Sequence, residues 1–228
     1  MNNAVRSATN AFDVDTCMAC AEREGNRLIA IIDYGAGNLK SVQHALTRLG
    51  MPCRITNDPE KLYEADALIL PGVGAFKDAM DELERLGLTE AIKDNVRRGK
   101  PILGICLGMQ LFYEKSHEHG EWEGLGLLEG EVVRFRHDLK VPHMGWNNLL
   151  KGAESDFAPW ITPDDYVYFV HSYYVVPKNR EEVLYWTDYG VRFPAVVKRN
   201  HIFGMQFHPE KSGETGMKLL KNFGEAIK

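Results

Sequence analysis

The sequence predicts an α/β fold: a central, mostly parallel sheet flanked by helices, with an antiparallel or mixed portion added to it. Three observations carry that prediction. Strand-like and helix-like stretches alternate from Leu28 to Ile105, the pattern of right-handed βαβ units. The first strand is a continuous apolar run, as expected of a strand covered on both faces. From Glu131 to Gln206, strand-like runs follow one another with few helix signals between them.

Leu28-Ile29-Ala30-Ile31-Ile32-Asp33 is the first strand, and Tyr34-Gly35-Ala36-Gly37-Asn38 a tight turn after it. Leu39, Val42, Ala45, Leu46 and Leu49 then fall on one helical face that ends at Gly50. The Gly-x-Gly of this turn lacks the third glycine of a dinucleotide-binding loop, because Lys40 stands there. Cys53–Thr56 is a short second strand, and Ala67–Leu70 a third that runs into Pro71-Gly72-Val73-Gly74. Phe76, Met80 and Leu83 begin a helical stretch that Ile92 and Val96 continue, and Pro101–Ile105 is the next strand. In parallel sheets ligands sit beyond the carboxyl ends of the strands. The turns after Asp33, Leu70 and Ile105 all lie on that edge, so Gly72–Gly74 and Cys106 should be neighbours. Further on, Ser116–Gly126 reads as a surface loop. Strand-like runs follow at Val132-Val133, Val141–Leu150, Tyr166–Val170, Val183–Thr187, Ala195–Lys198 and Ile202–Gln206. Glu214–Ile227 closes the chain as a helix with Met217, Leu220, Phe223 and Ile227 inward.

The chain of 228 residues is long enough for one large α/β domain or two small ones. One domain is expected to span residues 27–228, with residues 1–26 as a flexible N-terminal extension without hydrophobic periodicity or a secretory apolar core. A net charge of −5 argues against nucleic-acid binding. No apolar run approaches the ~18 residues needed to span a bilayer. The four cysteines are sparse and form no disulfide framework, which favours a reduced, cytoplasmic protein. Cys17-Met18-Ala19-Cys20 lacks the further ligands a zinc site needs, and no metal is expected.

Gly104-Ile105-Cys106-Leu107-Gly108 sits where a strand turns sharply into a helix. Glycines two residues either side of a nucleophile permit the strained elbow that exposes its side chain. A helix N-terminus beside the thiol favours the thiolate form, and the Leu107 N–H is placed to meet an oxyanion. The alternative for a lone cysteine at a strand end is a buried core position. Phe207-His208-Pro209-Glu210 follows a later strand. Pro209 biases His208 to extended backbone, and in extended chain residues i and i+2 project to one side. A carboxylate on one imidazole nitrogen fixes the tautomer and leaves the other to take a thiol proton. Together the two stretches supply nucleophile, base and orienting group.

On these residues the chain resembles the class I (triad-type) glutamine amidotransferases. It is most similar to their histidine-biosynthesis branch, the glutaminase subunits of imidazole glycerol phosphate synthase. The carriers are Asp33–Asn38, Pro71–Gly74, the Cys106 elbow, Pro142-His143-Met144-Gly145-Trp146-Asn147, His171-Ser172-Tyr173-Tyr174 and His208–Ser212. The resemblance implies a flavodoxin-like fold and glutamine as substrate. Cys106 would form a glutamyl thioester, His208 would relay protons and Glu210 would orient it. Backbone groups of Leu107, Gly72, Val73 and Gly74 would meet the oxyanion. Gln110, Glu118, Ser172 and Tyr173 would hold the substrate. It also implies a separate (βα)8-barrel cyclase subunit as partner, docked at Asn38, Trp146, Tyr168 and Lys211, and no cofactor. Read without the family, Trp146 and Tyr168 are ordinary sheet packing and Lys211 a solvated charge. The competing readings are another class I amidotransferase, such as that of pyridoxal phosphate synthesis, a non-catalytic module on the same fold, and a stand-alone thiol hydrolase.

Overall fold

The computed structural model describes residues 27–227. The expected extension at residues 1–26, with Cys17 and Cys20, lies outside the described residues. In chain order the elements are β1 (Ile29–Ile32), α1 (Leu39–Arg48), β2 (Cys53–Thr56), α2 (Pro59–Glu64), β3 (Ala67–Gly72), α3 (Phe76–Arg85), α4 (Leu88–Arg97), β4 (Ile102–Cys106) and α5 (Leu107–Gln110). There follow β5 (Lys115–Ser116), β6 (Trp122–Glu123), β7 (Gly130–Arg134), β8 (His143–Asn148), β9 (Leu150–Lys151), β10 (Tyr166–His171), β11 (Tyr173–Pro177), β12 (Val183–Asp188), β13 (Arg192–Arg199), β14 (Ile202–Met205) and α6 (Gly213–Glu225).

The main sheet has the order β2-β1-β3-β4-β14-β13-β12-β9. Its first five strands are parallel, and from β14 onward the pairs are antiparallel. The parallel part has the doubly wound 2-1-3-4-5 order of flavodoxin-like folds, with β14 as the fifth strand. Both faces of β1, β3, β4 and β14 are buried, which is why they read as unbroken apolar runs. One core lies on each side of the sheet. Phe203, Phe207 and Phe223 pack in the first, and Phe76, Phe112 and Tyr113 in the second.

The structure departs from the sequence expectations at several elements. The expected antiparallel extension divides: β8 pairs with β10 in a separate two-stranded sheet, and β11, β7, β5 and β6 form a third. The run Val141–Leu150 starts only at His143 and breaks between β8 and β9. α2 carries no period because it has six residues; Asp58 caps it by accepting the Glu60 N–H at 3.0 Å, and Pro59 opens it. The helix after Cys106 is a single turn, so the dipole of a long helix is not what faces the sulfur.

Glycine spacing at the elbow follows from close approach. A Cβ on Gly108 would lie 1.7 Å from the Leu70 carbonyl oxygen, and one on Gly104 would lie 2.6 Å from the Met109 nitrogen. The turn therefore packs backbone to backbone against β3. The register pairs Gly72 with Cys106, which sets the Gly72–Gly74 turn beside the elbow.

Candidate active site

Cys106 ends β4 and enters α5 with φ 55° and ψ −112°. This is a conformation that non-glycine residues rarely hold, and one found where a fold over-determines a functional position. The side chain is buried, 5% exposed, with its sulfur 3.9 Å from the Val170 carbonyl and 3.8 Å from Gln206 Nε2.

His208 follows β14 with extended backbone, and Pro209–Lys211 forms a 3-10 turn. That turn, rather than extended i, i+2 alternation, brings Glu210 back onto the imidazole. Glu210 Oε1 accepts from His208 Nδ1 at 3.0 Å, with both side chains almost fully buried. Ser212 Oγ pins the turn, donating to the His208 carbonyl at 2.6 Å and accepting the Tyr168 N–H at 2.9 Å. Burial opposes a charge on His208. The neighbouring Cys106 sulfur and Glu210 carboxylate outweigh it and raise the imidazole to about 9. His208 Nε2 is buried with no hydrogen-bond partner among the described residues, the free position from which a proton can be exchanged.

A pocket of about 470 Å³ opens over the sulfur. Val73, Gly74, Leu107, Gln110, Glu118, Ser172 and Tyr173 all line it, together with Cys106. Gly72 lies behind this wall, paired with Cys106 on the neighbouring strand. Glu118 Oε2 accepts the Phe76 N–H at 2.7 Å, which fixes the carboxylate at the rim. Gln110 turns its amide nitrogen toward the Tyr173 carbonyl at 2.9 Å and Gln206 Oε1 at 3.1 Å. It shapes the pocket wall rather than projecting an open amide into the space.

Sequence reasoning missed His119, Arg134 and His171, which also line the pocket. Arg134 ends β7, and only the pairing of β7 with β11 brings it there. The sequence marks it with nothing beyond a charge at the end of an apolar pair. His171 is buried and held well below the usual histidine value, to about 3, chiefly by desolvation.

Tyr34 is buried behind the Gly72 peptide, and its hydroxyl has no hydrogen-bond partner among the described residues. Burial, and then the charge of the Cys106 sulfur, push its phenol up. Tyr34→Phe should therefore raise unfolding stability by about 1 kcal/mol, since an unpaired buried hydroxyl costs about that much. A loss of stability in a urea melt would show that the hydroxyl finds a partner.

Of the four residues expected at the partner interface, Trp146 and Lys211 are exposed and Asn38 and Tyr168 are half-buried. Asn38 is the N-cap residue of α1, its carbonyl accepting the Val42 N–H at 3.2 Å while its side chain makes no cap hydrogen bond, and Lys211 is exposed in the His-Pro-Glu turn. Trp146 and Tyr168 are cross-strand partners on β8 and β10, with ring centroids 6.0 Å apart in a T-shaped contact. Trp146 is 56% exposed and Met144 beside it 63%. This face is an apolar patch on a two-stranded sheet, the kind of feature that marks an interaction site. Among the described residues, no helix is long and apolar enough to cross a membrane. No group of three or more His, Cys, Asp or Glu side chains is placed there to hold a metal ion.

The family model for glutamine amidotransferase class-I matches residues 30–227. The chain is 52% identical over 201 residues to the imidazole glycerol phosphate synthase subunit HisH of Caldanaerobacter subterraneus, covering 88% of this chain and 99% of that one. It is 51% identical over 194 residues to the subunit of the same name from Aquifex aeolicus, covering 85% and 94%. Among solved structures, PurLQS from Thermotoga maritima is similar in fold, with TM-score 0.68 and 21% identity over 89% of this chain and all of that one.

Proposed function

The chain belongs to the class I glutamine amidotransferases, and we infer that it is the glutaminase subunit of an imidazole glycerol phosphate synthase in histidine biosynthesis. The observation that supports the chemistry best is the buried His208–Glu210 pair beside a cysteine on a positive-φ elbow.

In this reading Cys106 Sγ attacks the side-chain carboxamide carbon of glutamine, and the thiol proton passes to His208 Nε2. The tetrahedral oxyanion is met by the Leu107 N–H and by backbone N–H groups of the Gly72-Val73-Gly74 turn. His208 then protonates the departing ammonia, leaving a glutamyl thioester. Water, deprotonated by the same imidazole, releases glutamate and restores the thiol. Glu210 holds Nδ1–H and stabilises the imidazolium in both half-reactions.

The pocket offers complementary charge for the amino-acid end of glutamine. Glu118 suits the ammonium group, and Ser172, Tyr173 and Arg134, which line the same pocket, suit the carboxylate. Glu118→Gln should raise KM for glutamine roughly tenfold or more with kcat changed less, because a hydrogen bond to a charged group contributes about 1.5–3 kcal/mol. Equal loss in kcat with unchanged KM would remove Glu118 from substrate binding.

The partner is a cyclase subunit, proposed as a (βα)8 barrel seated over the pocket mouth and covering Trp146, Tyr168, Asn38 and Lys211. It receives the ammonia before water can protonate it. An electrophilic glutamine analogue tests the assignment: it should label Cys106, glutamine should protect against it, and labelling elsewhere would contradict the site.

A further inference from the structure

Behind the apolar β8–β10 face, a series of hydrogen bonds runs from the inner side of β8 to the Cys106 sulfur, with two donors meeting at the Tyr173 carbonyl. His143 and His171 are direct cross-strand partners, both buried, with His143 Nδ1 3.1 Å from His171 Nε2. His171 Nδ1 lies 2.8 Å from the Tyr173 carbonyl, which can only accept. His171 therefore donates through Nδ1. A neutral imidazole then accepts at Nε2, so the proton between the two rings belongs to His143 Nδ1. His143 Nε2 is left as an acceptor, and it faces Asn147 Nδ2 at 3.4 Å. The amide is oriented independently: Asn147 Nδ2 donates to the Asp188 carbonyl at 3.0 Å, and Oδ1 accepts from the Asn148 N–H at 2.9 Å. Desolvation holds both rings neutral, His143 at about 4 and His171 at about 3.

The other end of the series reaches the chemistry. The Tyr173 carbonyl that receives His171 also receives Gln110 Nε2; Gln110 donates to Gln206, and Gln206 Nε2 lies against the Cys106 sulfur. The surroundings make imidazoles a demanding choice. Phe169 and Tyr189 stack on His143, and Phe135 and Phe193 contact both rings. Apolar side chains would fill this space without burying polar atoms, whereas two imidazoles are tolerated only when each nitrogen is satisfied. His143 alternates along β8 with Met144, and Asn147 with Trp146, so one short strand carries the exposed patch and the start of the series.

We propose that the His143–His171 pair is a tautomer-locked strut that makes the geometry of the glutamine pocket answer to what is docked on the β8–β10 face. The proposal rests on the reading of that face as the seat of the cyclase subunit. His143 is a positioning residue in this account, since it touches neither the pocket nor the sulfur.

Two measurements test it. Two-bond 15N–1H correlation spectra of the labelled chain alone should show both rings as neutral Nδ1–H tautomers at pH 6, with one signal missing in His143→Phe. A protonated Nε2 on either ring overturns the strut. Glutamate release should then be compared with and without the cyclase subunit and its phosphorylated ligand. His143→Phe should keep the uncomplexed rate and the partner Kd within about twofold and lose at least tenfold of the stimulation. His143→Asn, which returns a donor near the Nδ1 position, should recover part of it. Stimulation retained in a folded His143→Phe complex overturns the coupling alone. Absent stimulation in the unsubstituted protein overturns the subunit reading and the coupling together. A fall in complexed and uncomplexed rates alike assigns the pair to packing and overturns the proposal.

Discussion

Cys106→Ala should abolish glutamate release from glutamine, by about 10⁴-fold or more, the scale on which removal of a nucleophile acts in triad enzymes. Cys53 is the other cysteine among the described residues, and it belongs to β2 on the edge of the sheet, away from the pocket. The fold should tolerate the change, because alanine removes only the sulfur and β4 stays buried between β3 and β14. The variant should still assemble with a cyclase subunit and support cyclisation from added ammonium salt at a near-normal rate. Loss of the ammonia-dependent reaction as well would indicate a folding defect. Residual glutamine hydrolysis would place the nucleophile elsewhere.

His208→Asn should cost a similar factor in glutamine turnover, since in the proposed mechanism the same ring serves acylation and deacylation. It should also change how stability depends on pH. The folded imidazole is raised to about 9 by Cys106 and Glu210, against about 6.5 for an unperturbed histidine. A raised pKa means the fold favours the imidazolium. That stabilisation is fully present below about 6.5 and is lost as pH rises through about 9. The unfolding free energy of the unsubstituted chain should therefore fall between neutral pH and pH 10, by an amount on the order of a few kcal/mol. His208→Asn should flatten that decline. Parallel pH profiles for the two proteins would show that His208 is not the group held charged.

The parallel half of the fold was legible in the sequence because both of its faces are covered. Ile29–Ile32, Ala67–Leu70 and Ile102–Ile105 are apolar at every position, and helices of clear period separate them. The elbow was legible because Gly104 and Gly108 stand where no Cβ fits. The second half was harder. β10 and β11 are separated by Ser172 alone, yet belong to different sheets, and no local pattern announces that the chain crosses between them. β11 was hidden within a stretch that otherwise reads as a motif. α2 and α5 are too short to show a period. At the site, Arg134 and His171 arrive through strand pairings that the sequence does not specify. The His143–His171 contact exists only because β8 and β10 pair in one register; a slip of one strand by one residue would turn its ring to the other face.

Glutamate release from glutamine, measured on the chain alone and then with a cyclase subunit and its phosphorylated substrate, decides whether this subunit is a gated glutaminase. A gated glutaminase predicts a low rate for the isolated chain and a large rise in the liganded complex. A high rate in the isolated chain, indifferent to the cyclase, would contradict it.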